Sequence, residues 1–173
     1  MKKFISILML SLFIFVCCAI PVYSSTWKEF PLNVYIEYNP KKPVVKKAFW
    51  AWQSLTKIPK FNYVSEEKDA DIVVKFDRVT VHNGDGTHTA GYTKWYTNNG
   101  YMTHAEITLM SVRPNTNMLI SDKDAYIVAL HEVGHALGLP HTNNPNDVMF
   151  YLYSGQPLIT TNDLNALRRL YGK

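Results

Sequence analysis

Cysteine is almost missing from this chain. The only two of its 173 residues are the adjacent Cys17 and Cys18, and both lie in an apolar run near the N-terminus. Everything beyond them must therefore fold without disulfides and rely on an apolar core and bound metals. Charge of one sign is also scarce. The formal balance is +4, and two of those charges are Lys2 and Lys3 at the very start, which leaves too little to argue for nucleic acid or membrane binding. There is no internal repeat and no low-complexity tract, so solenoid and linker-like architectures are set aside.

The first 25 residues read as a secretory signal peptide. Lys2 and Lys3 precede a run from Phe4 to Ile20 that is apolar apart from Ser6 and Ser11, and Pro21 and the small residues Ser24 and Ser25 follow. The alternatives are an uncleaved anchor and a lipid on Cys17 or Cys18. The run is near the lower limit for spanning a bilayer, and Phe15 and Val16 are bulky where a lipoprotein signal needs small residues. Cleavage is the expectation. It leaves residues 26–173, about 148 residues, as one domain, secreted and monomeric, with no stable membrane association.

That domain opens with an alternating strand, Leu32 to Ile36. Pro43 then starts a helix in which Val45, Ala48, Phe49, Trp52 and Leu55 form an apolar stripe made to lie on a sheet, and Pro59 closes it. Phe61 to Val64 is a short strand, and the β-branched run Asp71 to Phe76 suits a central one. Strand, helix, strand, strand implies an α+β fold, a mixed sheet with the helix across one face. Asn99-Gly100 is a two-residue hairpin signal that sets Asn98 opposite Tyr101 and Trp95 opposite His104. His88 then falls about 23 Å from His104 along the strand, too far for a shared metal. The stretch from His82 to Gly86 reads as a turn rather than a calcium loop, with Asp85 as its one candidate oxygen ligand.

The densest chemistry lies in residues 131–141, HEVGHALGLPH. Ser121, with Asp124 three residues on, predicts a helix N-terminus, and Ala125, Ile127, Val128, Ala129 and Leu130 continue that helix into the motif. His131 and His135 are then an i, i+4 pair on one helical face. Gly138 ends the helix by taking positive φ, so that His141 turns back as a third ligand. Three imidazoles with one tetrahedral position left for water are the donor set of catalytic rather than structural zinc. Glu132, rotated off the shared histidine face by about 100°, suits a carboxylate that takes the water's proton and hands it to a leaving amine.

This pattern resembles the metzincin metallopeptidases, whose HExxHxxGxxH signature is followed by a methionine-containing turn. Met149, in the segment Asn146 to Tyr153, stands where the family has that methionine. Within the clan the chain is most similar to a compact matrixin, a relative of the matrix metalloproteinase catalytic domain, over about residues 26–172. Thr161 to Gly172 resembles the final matrixin helix. The resemblance implies an active-site helix and a C-terminal helix beside the packing helix, with Met149 as an apolar floor beneath the imidazoles. It makes Tyr153 a wall of the primed-side specificity pocket. Phe150 and Tyr151 replace the usual Tyr-Pro pair, so Tyr151 has two readings. One is an aromatic packing beneath the site, which is preferred. The other is the oxyanion donor or fifth ligand found in astacins and serralysins.

The resemblance also carries the strand from Thr89 to Trp95 over as the sheet edge on which an extended peptide is laid. Beside the calcium ion that Asp85 could serve, it raises a second structural zinc held by histidine and aspartate in residues 82–110, where no His-x-Asp pair occurs. No cysteine-switch propeptide is expected, since the cysteines lie in the leader. The expected function is a secreted zinc endopeptidase, with protein or peptide substrates, in which Glu132 is the general base toward a zinc-bound water and His131, His135 and His141 hold the metal. The alternatives are a catalytically silent zinc-binding interaction module on a protease scaffold and a narrow peptide-processing enzyme.

Overall fold

A computed structural model describes residues 25–78, 89–113, 117–152 and 158–172. The expected leader up to residue 24, His82, Asp85, His88 and Tyr153 lie outside the described residues. In chain order the elements are β1 (Thr26–Trp27), β2 (Leu32–Ile36), α1 (Lys42–Thr56), β3 (Phe61–Tyr63), a 3-10 turn at Glu67–Asp69, β4 (Ile72–Asp77), β5 (Gly91–Asn98), β6 (Tyr101–Met110), α2 (Asp122–Ala136) and α3 (Thr161–Leu170). This is the expected α+β arrangement. The six strands form one sheet in the order β1-β6-β4-β2-β3, and β5 adds to β6. Every pairing is parallel except β5 with β6. β4 is central, as its β-branched composition predicts.

Alternation sorts the sheet into two faces. Leu32, Val34 and Ile36 of β2 and Ile72 and Val74 of β4 are buried in the main core with Ala105, Ile107 and Leu109 of β6. α1 covers that face with Val45, Ala48, Phe49 and Trp52, of which Phe49 and Trp52 are fully buried. Truncating either would cost about 3–5 kcal/mol. α1 begins one residue before Pro43 and ends where Lys57 takes a left-handed φ of 60°, ahead of Pro59. Leu55 leaves the expected stripe and is 49% exposed. Ten residues beyond Val45 it has rotated about 80° off the stripe, and Thr56, at about 20°, takes the inward place instead. Its hydroxyl is satisfied by donating to the Trp52 carbonyl at 2.6 Å.

The hairpin forms where Asn99-Gly100 predicts, with φ of 50° and 82°, and Asn98 does face Tyr101. Trp95 does not face His104. The register shifts between Tyr96 and Thr97, so that Tyr96 pairs with His104 and Trp95 with Ala105. Thr103 is the extra residue of a β-bulge, and its hydroxyl donates to the Tyr96 carbonyl at 3.3 Å. β5 pairs only with β6, so its other side is a free sheet edge among the described residues.

α2 runs against α1, β5 and β6. Trp52 Nε1 donates to the Leu130 carbonyl at 2.9 Å, and Trp27 Nε1 donates to that of Ala136 at 2.7 Å, so two buried indoles fix the helix along its length. Gly138 has φ of 96°, and a Cβ there would lie 2.5 Å from the Ser25 carbonyl. Glycine is thus required both for the turn and for the passage of the N-terminal strand. No helix among the described residues is long and apolar enough to cross a membrane.

Candidate metal centre and active site

α2 starts where Ser121 predicts. The Ser121 hydroxyl accepts from the Asp124 backbone N–H at 3.1 Å, and Ala125, Val128, Ala129, Leu130 and Val133 bury the helix flank. That anchoring presents His131 and His135 together, and the turn at Gly138 brings in His141. The three Nε2 atoms are 3.0, 3.1 and 3.2 Å from one another.

These short contacts are not all hydrogen bonds. His131 Nδ1 donates to the Val148 carbonyl at 2.7 Å and His135 Nδ1 to the Leu139 carbonyl at 2.8 Å. Their ring protons are used there, so both Nε2 atoms turn lone pairs toward a common point. Burial lowers the pKa of all three histidines, that of His135 to about 4 with His131 contributing, and so holds the rings neutral. Two such acceptors converging with a third imidazole nitrogen, that of His141, suit a cation. Zinc–nitrogen bonds of about 2.0–2.1 Å imply nitrogens about 3.4 Å apart in a tetrahedron, close to the spacing seen.

Glu132 is 4% exposed. Its Oε2 accepts from the Thr93 hydroxyl at 2.7 Å, and the Glu132 carbonyl lies 3.1 Å from the same oxygen. Burial pushes the carboxyl up to about 7, against the pull of the Thr93 hydrogen bond. A carboxyl in that range both accepts and returns a proton near neutral pH.

Beneath the site, Met149 is buried, and a Cβ on Gly134 would collide with its Sδ and sit 3.1 Å from Trp52 Cζ2. The turn carrying Met149 is held by α3. Asp163 Oδ2 accepts from the Val148 N–H at 3.0 Å and Oδ1 from the Met149 N–H at 3.3 Å. Asp147, also buried, accepts from Asn144, Thr160 and Asn162. Since the Val148 carbonyl orients His131, a chain of contacts runs from α3 through the turn to the His131 ring. Sequence reasoning missed Asp163. The available signal was its place three residues after Thr160, a capping box whose acidic member also serves the turn.

Residues 24–172 match the sequence model of the matrixins. The chain belongs to the matrixin family. This matrixin is similar to a probable matrix metalloproteinase 095L of Invertebrate iridescent virus 3, 31% identical over 82% of this chain and 40% of that protein. It is 26% identical to human matrix metalloproteinase-16 over 76% of this chain and 24% of that one. With the rat macrophage metalloelastase the identity is 27%, over 89% and 35%. The matrixin therefore spans about a quarter to two fifths of the length of these relatives. In fold it is similar to myroilysin, with a TM-score of 0.59 and 16% identity over 87% of this chain and 97% of that one.

Of the residues predicted from sequence, the structure of this matrixin brings together His131, Glu132, His135 and His141, with Met149 buried below. Tyr151 is not packed beneath the imidazoles. It is 56% exposed, with its ring centroid 4.6 Å from that of Phe150. His104, on the outer face of β6, has Glu106 at 3.9 Å and Tyr96 beside it. The histidine triad is the only cluster of three potential metal ligands among the described residues. Trp95 was placed on the edge strand but not in the site. On the same strand face as Thr93, it stacks on His135 with centroids 6.3 Å apart and planes inclined by 27°.

Proposed function

We propose that this matrixin is a secreted, monomeric zinc endopeptidase acting on internal peptide bonds of protein or peptide substrates, with residues 1–25 removed as a leader. The single observation that carries this is the convergence of the Nε2 atoms of His131, His135 and His141, with the buried carboxyl of Glu132 on the same helix. His131, His135 and His141 are the residues that would hold zinc. When bound there, zinc supplies Lewis acidity, polarising the peptide carbonyl and acidifying a water.

The chain's own residues supply the rest. Glu132 takes the proton from the attacking water and returns it to the departing amine, so that protons balance over one turnover. The free edge of β5 gives an extended peptide backbone a strand to pair with, next to the triad. Trp95, half exposed and stacked on His135, lies beside that edge. A silent metal-binding module would have no use for a carboxyl held in this way.

The test is incubation of the purified chain from about Thr26 with a diverse peptide library, with and without a chelator, together with metal analysis. Internal cleavage that the chelator abolishes, at about one zinc per chain, supports the reading. Absence of zinc at any stoichiometry overturns it.

A further inference from the structure

The α2-facing residues of β5 are Gly91, Thr93 and Trp95, at every second position, so one strand face is set against the active-site helix. Each meets a different part of the site. Trp95 stacks on His135. Gly91 clears space, since a Cβ there would lie 2.8 Å from Val128 Cγ1, 3.0 Å from Glu132 Cγ and 3.1 Å from Glu132 Oε1. That closeness is what lets Thr93 reach across 39 residues of sequence to the carboxyl of Glu132.

We infer that Thr93 is a positioning residue for the catalytic carboxylate: its hydroxyl holds Glu132 Oε2, fixing the side-chain rotamer so that Oε1 is the oxygen that carries the proton. The inference rests on the reading of Glu132 as that carrier. A threonine hydroxyl has one proton to give, and of its two acceptors the carboxylate oxygen at 2.7 Å is nearer than the Glu132 carbonyl at 3.1 Å. Among the described residues no hydrogen bond is made to Oε1, so the two oxygens are inequivalent. Because Thr93 also belongs to the edge strand proposed to receive the peptide, one residue aligns the proton carrier with the backbone to be cut. Nothing in the HExxH spacing announces this, since Thr93 lies on another element.

The experiment compares Thr93→Val, which keeps the β-branched shape without the hydroxyl, with Thr93→Ser, which keeps the hydroxyl, using a fluorogenic peptide and the zinc-loaded chain. Zinc content and Tm serve as controls for folding. Thr93→Val is expected to lower kcat about tenfold or more with KM within about twofold, and Thr93→Ser to stay within about threefold of wild type. In a Glu132→Ala background Thr93→Val should cost nothing further. A crystal structure of Thr93→Val supplies a readout independent of activity, in which the Glu132 carboxylate should leave its place beside position 93. If Thr93→Val does not fold, Thr93→Ala takes its place. If Glu132→Ala abolishes turnover but Thr93→Val keeps its kcat, or if the carboxylate stays where it is, the role of Thr93 is wrong. If Glu132→Ala itself keeps normal turnover, the reading of the site fails, and the inference with it.

Discussion

Glu132 and His141 are proposed to perform different tasks at the site, and single substitutions separate them. Glu132→Ala removes the proton carrier and leaves all three imidazoles, so zinc content should stay near wild type while kcat falls by about 10²–10⁴-fold. His141→Ala should instead lower zinc content, since His141 is the most exposed of the three and enters from the loop after Gly138. Near-normal turnover in the glutamate variant would refute the assignment. Tyr151 is the opposite case. Its ring is exposed beside Phe150, and removing its hydroxyl empties no buried space. Tyr151→Phe is expected to leave kcat/KM within a few-fold of wild type, whereas loss of an oxyanion donor would cost about 10²-fold or more. Steady-state kinetics at unchanged zinc content decide between them.

The histidine helix depends on a glycine that performs no chemistry. Gly134 lies between His131 and His135, on the side where Met149 Sδ and the Trp52 indole press against the backbone. Gly134→Ala raises intrinsic helix propensity by about 1 kcal/mol, which alone would stabilise. Overpacking a fully buried methionine and tryptophan works the other way by about 1–3 kcal/mol, and displacement of Met149 moves the turn whose Val148 carbonyl orients His131. The collision should win, giving a Tm several degrees lower and weaker zinc retention against a chelator. A higher Tm with unchanged retention would mean that the methionine and the helix are not packed in this way. The same element-level logic explains Asp163, which caps α3 and anchors the turn with one carboxylate.

Across the whole molecule, the two ends of the described chain are tied together at the helix bearing the site. The Tyr171 hydroxyl, at the end of α3, donates to the Leu137 carbonyl at 3.0 Å and accepts from the Trp27 N–H at 3.4 Å, while its ring meets Phe30. Burial raises the Tyr171 phenol from its ordinary 10 to about 12, as it does that of Tyr63. A raised pKa means that folding favours the protonated form. That contribution is complete below pH 10 and is lost as pH climbs from 10 toward 12. Equilibrium denaturation across this range should therefore show stability falling with pH, and falling less steeply in Tyr171→Phe. Equal slopes for the two proteins would mean that this phenol does not titrate against the fold.

Much of the site was written locally. An i, i+4 histidine pair, an N-cap serine, a glycine able to take positive φ and a histidine three residues later all act through backbone geometry within a few turns, so spacing alone carries the histidine cluster. The strand alternation of β2, the apolar stripe of α1 and the hairpin at Asn99-Gly100 were legible for the same reason. Contacts that join distant segments were not. The bulge at Thr103, which sets Trp95 opposite Ala105 rather than His104, depends on how β6 pairs with its neighbours rather than on the turn residues. The reach of Thr93 to Glu132 and the hold of Asp163 on the Met149 turn span different elements, and neither leaves a periodic trace. The spacing of residues in α2 and in the turn after it placed the three histidines and Glu132. Packing of the edge strand and the last helix against that helix decided which side chains orient them, because only the folded chain brings those groups within hydrogen-bonding distance.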